Sequence, residues 1–210
     1  MNETQLRDWI ALHGESLYRR GYAHGSSGNI SARLEDGILV TPTNSCLGRL
    51  DPARISKVAD DGRHIAGDKP SKEAFLHLSM YRERPSSKAI VHLHCTNCVA
   101  VSCLCHDDVS DVLPPITAYY AMKVGKLPLI PYFPPGDLAL AEAVAAKAGK
   151  HGAMLLANHG PVVAGKSLDD AVYTMEELEE TAKLYLMLAG RATRFLDKAQ
   201  IVELERLYPS

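Results

Sequence analysis

Hydrophobic positions in this chain change period several times, and each change marks an element. Asn2 with Gln5 three residues on makes a capping box, and Leu6, Trp9, Ile10, Leu17 and Tyr18 then recur mostly on one helical face until Gly21 stops them. An amphipathic helix therefore opens the chain. Beyond the turn-rich Ser26-Ser27-Gly28-Asn29, the apolar runs Ile30 to Leu34 and Ile38 to Val40 flank Asp36-Gly37. A second pair, Ile55 to Val58 and Arg63 to Ala66, flanks Asp60-Asp61-Gly62. Both read as hairpins, so the early sheet is an antiparallel meander. Ser71 then reads as the N-cap of a helix over Lys72 to Tyr81 that carries Phe75, Leu76 and Leu78 and stops before Pro85, with Glu73 in its first turn. Ala89 to His94 is apolar and β-branched enough for a buried strand, and Thr96 to Leu104 is helical. A passage containing Pro114-Pro115, Tyr119-Tyr120 and Pro131 to Pro135 reads as an ordered connection. Leu138 to Ala148 predicts an alanine-rich helix, Met154 to Ala157 a strand, Ser167 to Gly190 a long helix, and a short helix closes the chain. No repeat or linker interrupts the pattern, which predicts one domain over residues 1–210.

Composition narrows the function classes. A chain of 210 residues, 46% hydrophobic and 23% charged, can bury one sizeable core. Its net charge of −2, with the signs interspersed, argues against a nucleic-acid surface, so any anion it handles should be small. The first residues lack a basic start followed by an apolar core, and no apolar run approaches the roughly 18 residues of a membrane span. A cytoplasmic protein without a membrane partner is expected. Five cysteines, an odd number, predict reduced thiols. Cys95-x2-Cys98 suggests a zinc knuckle or a redox pair, but Cys103-x-Cys105 follows too soon for a second ligand turn. Small thiols packed on a helix are the simpler reading.

Chemistry concentrates in a few stretches. His92 and His94, spaced i, i+2 at the end of a strand, project to one face and can share a divalent metal; as a bare motif they can equally be a hydrogen-bonded pair of strand histidines. A third ligand must come from elsewhere, and His159, in Asn158-His159-Gly160 at the end of another apolar run, is the best placed. Gly28-Asn29, Thr41-Pro42-Thr43-Asn44 and Ser71-Lys72 are small, polar and rich in donors. Singly each is an ordinary turn; converging on one spot they would cradle a phosphate. Glu73 is by itself a carboxylate favoured by a helix dipole, and beside a metal it can ligate the ion or exchange a proton with substrate carbon.

Taken together, Gly28-Asn29, Thr43-Asn44, Ser71-Lys72-Glu73, His92-Leu93-His94 and Asn158-His159-Gly160 resemble the class II aldolase/adducin family over nearly the whole chain. That resemblance implies a three-layer α/β/α sandwich with a mostly antiparallel central sheet, and a homotetramer with four-fold symmetry and active sites at subunit interfaces. It implies one Zn²⁺ per subunit, or another divalent transition metal, on His92, His94, His159 and Glu73, with Glu73 alternatively the acid/base. Gly28, Asn29, Thr43, Asn44, Ser71 and Lys72 would bind phosphate and substrate. A tyrosine from the neighbouring subunit would donate a proton, and its match is Tyr119, with Tyr120 the alternative. Two positions depart from the aldolase pattern: Lys72 stands where a second serine is common, and Asn44 where glycine is. The stretches 21–31 and 43–52 look most like the branch that decarboxylates 3-oxo-tetronate 4-phosphates. The implied reaction releases CO₂ and dihydroxyacetone phosphate through a metal-stabilised enediolate. A sugar-phosphate aldolase or 4-epimerase is the alternative, and a non-catalytic adducin-like scaffold is disfavoured by the retained histidines and Glu73.

Overall fold

A computed structural model describes residues 1–208, and Pro209 and Ser210, the last of the expected 1–210 domain, lie outside the described residues. Helix α1 (Glu3–Arg19) begins at the expected capping box, with the Asn2 side chain accepting from the Gln5 N–H and the Gln5 side chain accepting from the Asn2 N–H. Strands β1 (Asn29–Leu34), β2 (Gly37–Val40), β3 (Ser56–Val58) and β4 (His64–Ala66) pair in turn, each antiparallel to the last. The meander is as expected. Helix α2 (Ala74–Glu83), strand β5 (Ala89–His92), helix α3 (Thr96–Ser102), helix α4 (Ala118–Lys123) and strand β6 (Leu129–Ile130) follow. Helix α5 (Leu138–Ala148), strands β7 (Ala153–Leu156) and β8 (Gly160–Gly165), and helices α6 (Leu168–Leu188) and α7 (Lys198–Leu207) complete the chain.

The strands form one eight-stranded sheet in the order β4-β3-β2-β1-β5-β8-β7-β6. Every neighbouring pair is antiparallel except β6 with β7. Alternating side chains feed two separate cores. Ile30, Leu39, Val91, Leu155 and Val163 pack with Ile10 and Leu17 of α1 and Val172, Met175 and Leu178 of α6. Ile38, Val40, Ile90, Met154 and Val162 pack on the other face with Leu76, Leu78 and Tyr81 of α2 and Leu140 and Val144 of α5. Helices thus cover both faces of the sheet, the α/β/α sandwich that the resemblance implied. No helix among the described residues is long and apolar enough to cross a membrane.

The structure corrects the sequence reading in four places. Helix α2 starts at Ala74, two residues later than Lys72, with Glu73 in the N-cap position at φ −96° and ψ 10° and no side-chain cap hydrogen bond. Ser71 is therefore not the N-cap; its hydroxyl accepts from the Glu73 N–H at 3.2 Å in a preceding turn. The proline-rich connection contains both α4, capped by Thr117, and β6. Strand β8 follows the Asn-His-Gly turn and was hidden by Pro161, which cannot donate to a ladder but presents its carbonyl to the Leu93 N–H. Of the crowded cysteines, Cys95 and Cys98 are buried, whereas Cys103 and Cys105 are exposed rather than packed; all five are free.

Candidate metal centre

Strand register explains how distant residues meet. Asn29, first in β1, lies directly opposite His92, last in β5, and Ser31 lies opposite Ile90. Since Ile30 and Val91 face the α1–α6 side, Asn29, Ser31 and His92 face α2, the side from which Glu73 and His77 approach. His94 continues past the strand end. His159 sits in the tight turn between β7 and β8, where Asn158 takes a left-handed φ of 55° and the His159 N–H donates to the Leu156 carbonyl at 3.1 Å. Two glycines let these backbones close in around Leu93. A Cβ on Gly28 would stand 2.9 Å from the His92 oxygen, and one on Gly160 would collide with the Leu93 oxygen; both glycines have positive φ.

The result is a tight cluster. One ligand-type atom from each of Glu73, His92, His94 and His159 lies within 4.8 Å of the others. Glu73 is 3.4 Å by Oε2 from His92 Nε2, and 3.4 Å by Oε1 from His159 Nε2. His92 Nε2 and His94 Nε2 are 3.1 Å apart, and both cannot be donors there without clashing hydrogens. The other ring nitrogen of His92, Nδ1, donates to the Pro161 carbonyl at 2.8 Å, so the neutral ring presents its Nε2 lone pair to the cluster. Glu73 Oε1 and His159 Nε2 are buried without a hydrogen-bond partner, although such atoms are ordinarily paired. A divalent cation between them would satisfy both, so the donor set fits a metal with nitrogen and oxygen ligands.

Charge states agree with a ligand role. Burial raises the Glu73 carboxyl, but His92, His159 and the Asn29 amide pull it down, and the balance holds it at about 2. Burial, reinforced by the neighbouring histidines, lowers His94 to about 3; burial and then His92 lower His159 to about 4. An ionised carboxylate and neutral imidazoles are the metal-binding forms.

The donor-rich turns are adjacent in space. The Thr43 N–H donates to the Lys69 carbonyl at 2.9 Å, the Ser71 N–H to the Thr41 carbonyl at 3.2 Å, and the Ile30 N–H to the Thr41 hydroxyl at 3.2 Å. Asn29 and Ser71, each hydrogen-bonded to Glu73, are thereby brought together with Thr41. Asn44 has φ 56°, a conformation glycine adopts freely and asparagine tolerates. Lys72 is exposed. The Asn29 side chain is largely committed, donating from Nδ2 to Glu73 Oε2 at 2.7 Å and accepting at Oδ1 from His77. Tyr119 is 64% exposed on α4, free to reach another chain, whereas Tyr120 is 1% exposed and donates its hydroxyl to the Leu113 carbonyl. Tyr120 is withdrawn from any neighbour.

Sequence reasoning missed several participants. His77, Ser31 and Tyr81 form a buried polar run behind Glu73; His77, four residues from Glu73 on the sheet-facing side of α2, carried the only available signal. In front of His94 and His159 opens a cavity of about 490 Å³ walled by Val99, Tyr132, Phe133 and Pro135, with His24, Thr96 and Asn158 as polar members. Cys95 and Cys98 meet Glu179 in a second cluster. There the carboxylate already accepts from the Asn97 and Cys98 N–H groups and Asn97 Nδ2 at 2.8 to 2.9 Å, which makes Glu179 a cap on α3.

Comparison with known proteins agrees with this fold. The model of the Class II Aldolase and Adducin N-terminal domain matches residues 9–186. The 3-oxo-tetronate 4-phosphate decarboxylase of Escherichia coli K12 is 52% identical over 203 residues, covering 96% of each chain. The L-fuculose phosphate aldolase of Haemophilus influenzae is 33% identical over 204 residues, 96% of this chain and 92% of that protein. The crystal structure of YgbL from Escherichia coli superposes with a TM-score of 0.94 at 51% identity, over 96% of this chain and 98% of that one.

The depressed histidines make a pH prediction for the metal-free protein. His77, His94 and His159 sit at about 3, 3 and 4 in the folded chain and return toward about 6.5 on unfolding. Between about pH 4 and 6.5 the unfolded chain therefore binds more protons, and stability rises with pH through that window. Glu73, held at about 2, acts in the same direction at lower pH. The thermal midpoint by circular dichroism is expected to fall by at least roughly 5 °C from pH 7 to 4.5. A midpoint that holds or rises would mean histidines charged in the fold.

Proposed function

The chain belongs to the class II aldolase and adducin family and is a lyase, and from that premise we propose that it is a metal-dependent decarboxylase of a 3-oxo-tetronate 4-phosphate. The products would be dihydroxyacetone phosphate and CO₂. The observation that carries the reading is the convergence of Glu73, His92, His94 and His159 on one point, with two orphaned ligand atoms among them, beside turns rich in anion donors. The 52% identity to a decarboxylase of that substrate supports the choice within the family.

His92, His94, His159 and Glu73 would hold the ion, Zn²⁺ or another divalent transition metal. When bound there it supplies Lewis acidity to the substrate oxygens as the carbon–carbon bond breaks. Gly28, Asn29, Thr43, Asn44 and Ser71, with Lys72 at the rim, would hold the phosphate and fix which end of the substrate faces the cavity. Loss of CO₂ leaves its electron pair on C2, and the remaining step is delivery of a proton to that carbon. Glu73 is ionised at neutral pH and has none to give. The family resemblance gives that delivery to the hydroxyl of Tyr119 from a neighbouring subunit, in a homotetramer whose sites lie at subunit interfaces, and the 64% exposure of Tyr119 supports the reading. Free cysteines suit a reducing cytoplasm.

A sugar-phosphate aldolase or 4-epimerase is the second reading, favoured by the 33% identity to an L-fuculose phosphate aldolase. Incubating the metal-loaded protein with phosphorylated 3-oxo acids and ketose phosphates separates the two. Release of CO₂ and dihydroxyacetone phosphate in equal amounts from a 3-oxo-tetronate 4-phosphate is expected. An aldehyde product from a ketose phosphate, with no CO₂ from any acid, would overturn the decarboxylase.

The shared site makes a second prediction. Tyr119→Phe, expected to be slowed roughly 10²- to 10⁴-fold by loss of the proton donor, and Glu73→Gln, expected to be inactive through loss of a metal ligand, should complement each other when mixed in one tetramer. With equal random mixing and one neighbour per site, about a quarter of the sites regain both groups. CO₂ release should climb well above either parent variant. Mixed tetramers, verified by size-exclusion chromatography, that gain no activity would return the proton donor to the subunit that owns Glu73.

A further inference from the structure

The hydrogen bonds behind Glu73 can run in only one direction. Glu73 Oε2 accepts from Asn29 Nδ2 at 2.7 Å, so Asn29 Oδ1 faces the other way, 2.5 Å from His77 Nε2. That ring nitrogen must carry the hydrogen. Burial holds His77 down at about 3, so the ring is neutral and its Nδ1 is bare. Nδ1 lies 2.7 Å from Ser31 Oγ, which therefore donates, and Ser31, having given its own hydrogen, accepts from the Tyr81 hydroxyl at 2.9 Å. His77 and Ser31 are 0% exposed and Tyr81 is 1%, so no water competes for these atoms.

An amide side chain has two ends of nearly equal size, and nothing steric decides which of them faces the carboxylate. His77 is the group that touches Asn29 Oδ1, and its Nε2–H makes only one orientation favourable. With Asn29 turned over, an oxygen would face Glu73 Oε2 and the amide nitrogen would face a ring N–H. Held by Oε2, Glu73 leaves its other oxygen, Oε1, buried and unpartnered 3.4 Å from His159 Nε2. One carboxylate oxygen is anchored and the other is aimed among the histidines.

We propose that His77 is a positioning residue of the metal centre: through Asn29 it sets the direction in which the Glu73 carboxylate faces His92, His94 and His159. Ser31 and Tyr81 set the tautomer of His77 and stand one step further back. The proposal rests on the metal reading of the site. It adds a residue that does not touch the ion and that neither the strand motif nor the donor-rich turns contain.

The test measures Zn²⁺ affinity by chelator competition on purified, folded protein, alongside steady-state kinetics. Groups that orient metal ligands typically contribute 10- to 100-fold in affinity or activity. His77→Leu, which removes both ring nitrogens, is expected to weaken Zn²⁺ binding by about that factor and to lower kcat more than it raises KM. His77→Gln, whose amide can donate to Asn29 Oδ1, should recover most of the loss. Because His77 acts through Asn29, the double variant N29A/H77L should bind Zn²⁺ no more weakly than N29A alone. Parent-like affinity in folded H77L, or a double variant whose loss is the product of the single losses, would overturn the proposal while leaving the metal site standing. Should H77L fail to fold, Ser31→Ala frees Nδ1 and lets the ring change tautomer; it is expected to weaken Zn²⁺ binding about fivefold, the size of one net hydrogen bond. An S31A protein with parental affinity would overturn the proposal. A parent that binds no Zn²⁺ would overturn the metal reading and this inference with it.

Discussion

A carboxylate kept ionised out of water, with three imidazoles turned toward it, is the constraint on which the centre of this structure depends. Glu73 is 8% exposed, and burying such a charge is costly unless hydrogen bonds or a cation compensate it. One oxygen has the Asn29 amide. The other faces His159 Nε2, on a ring that is neutral at physiological pH. Such a group is tolerable in a chain whose working state includes a cation at that point. The same physics explains why the helix carrying Glu73 begins late: the residue leaves helical geometry to point into the cluster, and the Ser71 hydroxyl takes up its N–H.

Everything near the cluster serves close approach. β1, β5 and β8 are neighbours in the middle of the sheet, and their ends meet around Leu93, where Gly28 and Gly160 remove the side chains that would hold them apart. Pro161 gives up a ladder donor but lends its carbonyl both to the Leu93 N–H and to His92 Nδ1, so one backbone oxygen holds the strand edge and the ring orientation together. The two cores, one on each face, make the sheet a rigid support for this junction.

Much of this was legible in the sequence because the signals are local. The capping box at Asn2, the Asp36-Gly37 hairpin and the His-x-His spacing each act over a few residues, and each appears where expected. Strand β8 was not legible, since a proline within it opposes the rule that reads strands from apolar runs, and α4 and β6 were masked by the surrounding prolines. The run from Asn29 to Tyr81 was invisible for a different reason. Ser31 and Tyr81 are 50 residues apart and meet only because β1 and α2 share a face of the sheet. Periodicity shows which face a residue takes, but not what waits there. Nor did any local pattern announce that Asn44 takes a left-handed backbone, which asparagine tolerates better than most residues.

Among the described residues two clusters offer ligand-type atoms, and their chemistry differs: three imidazoles with Glu73, and two thiols with Glu179. The account gives the ion to the first, because Glu179 is already engaged by the N–H groups that open α3 while Glu73 Oε1 and His159 Nε2 have no partner. X-ray absorption at the zinc edge of the loaded protein decides between them. The account predicts about one Zn²⁺ per chain in a shell of nitrogen and oxygen at about 2.0–2.2 Å, with outer scattering from three imidazoles. Sulfur at about 2.3 Å, or a shell with fewer imidazoles that is unchanged when His159 is replaced by alanine, would contradict it.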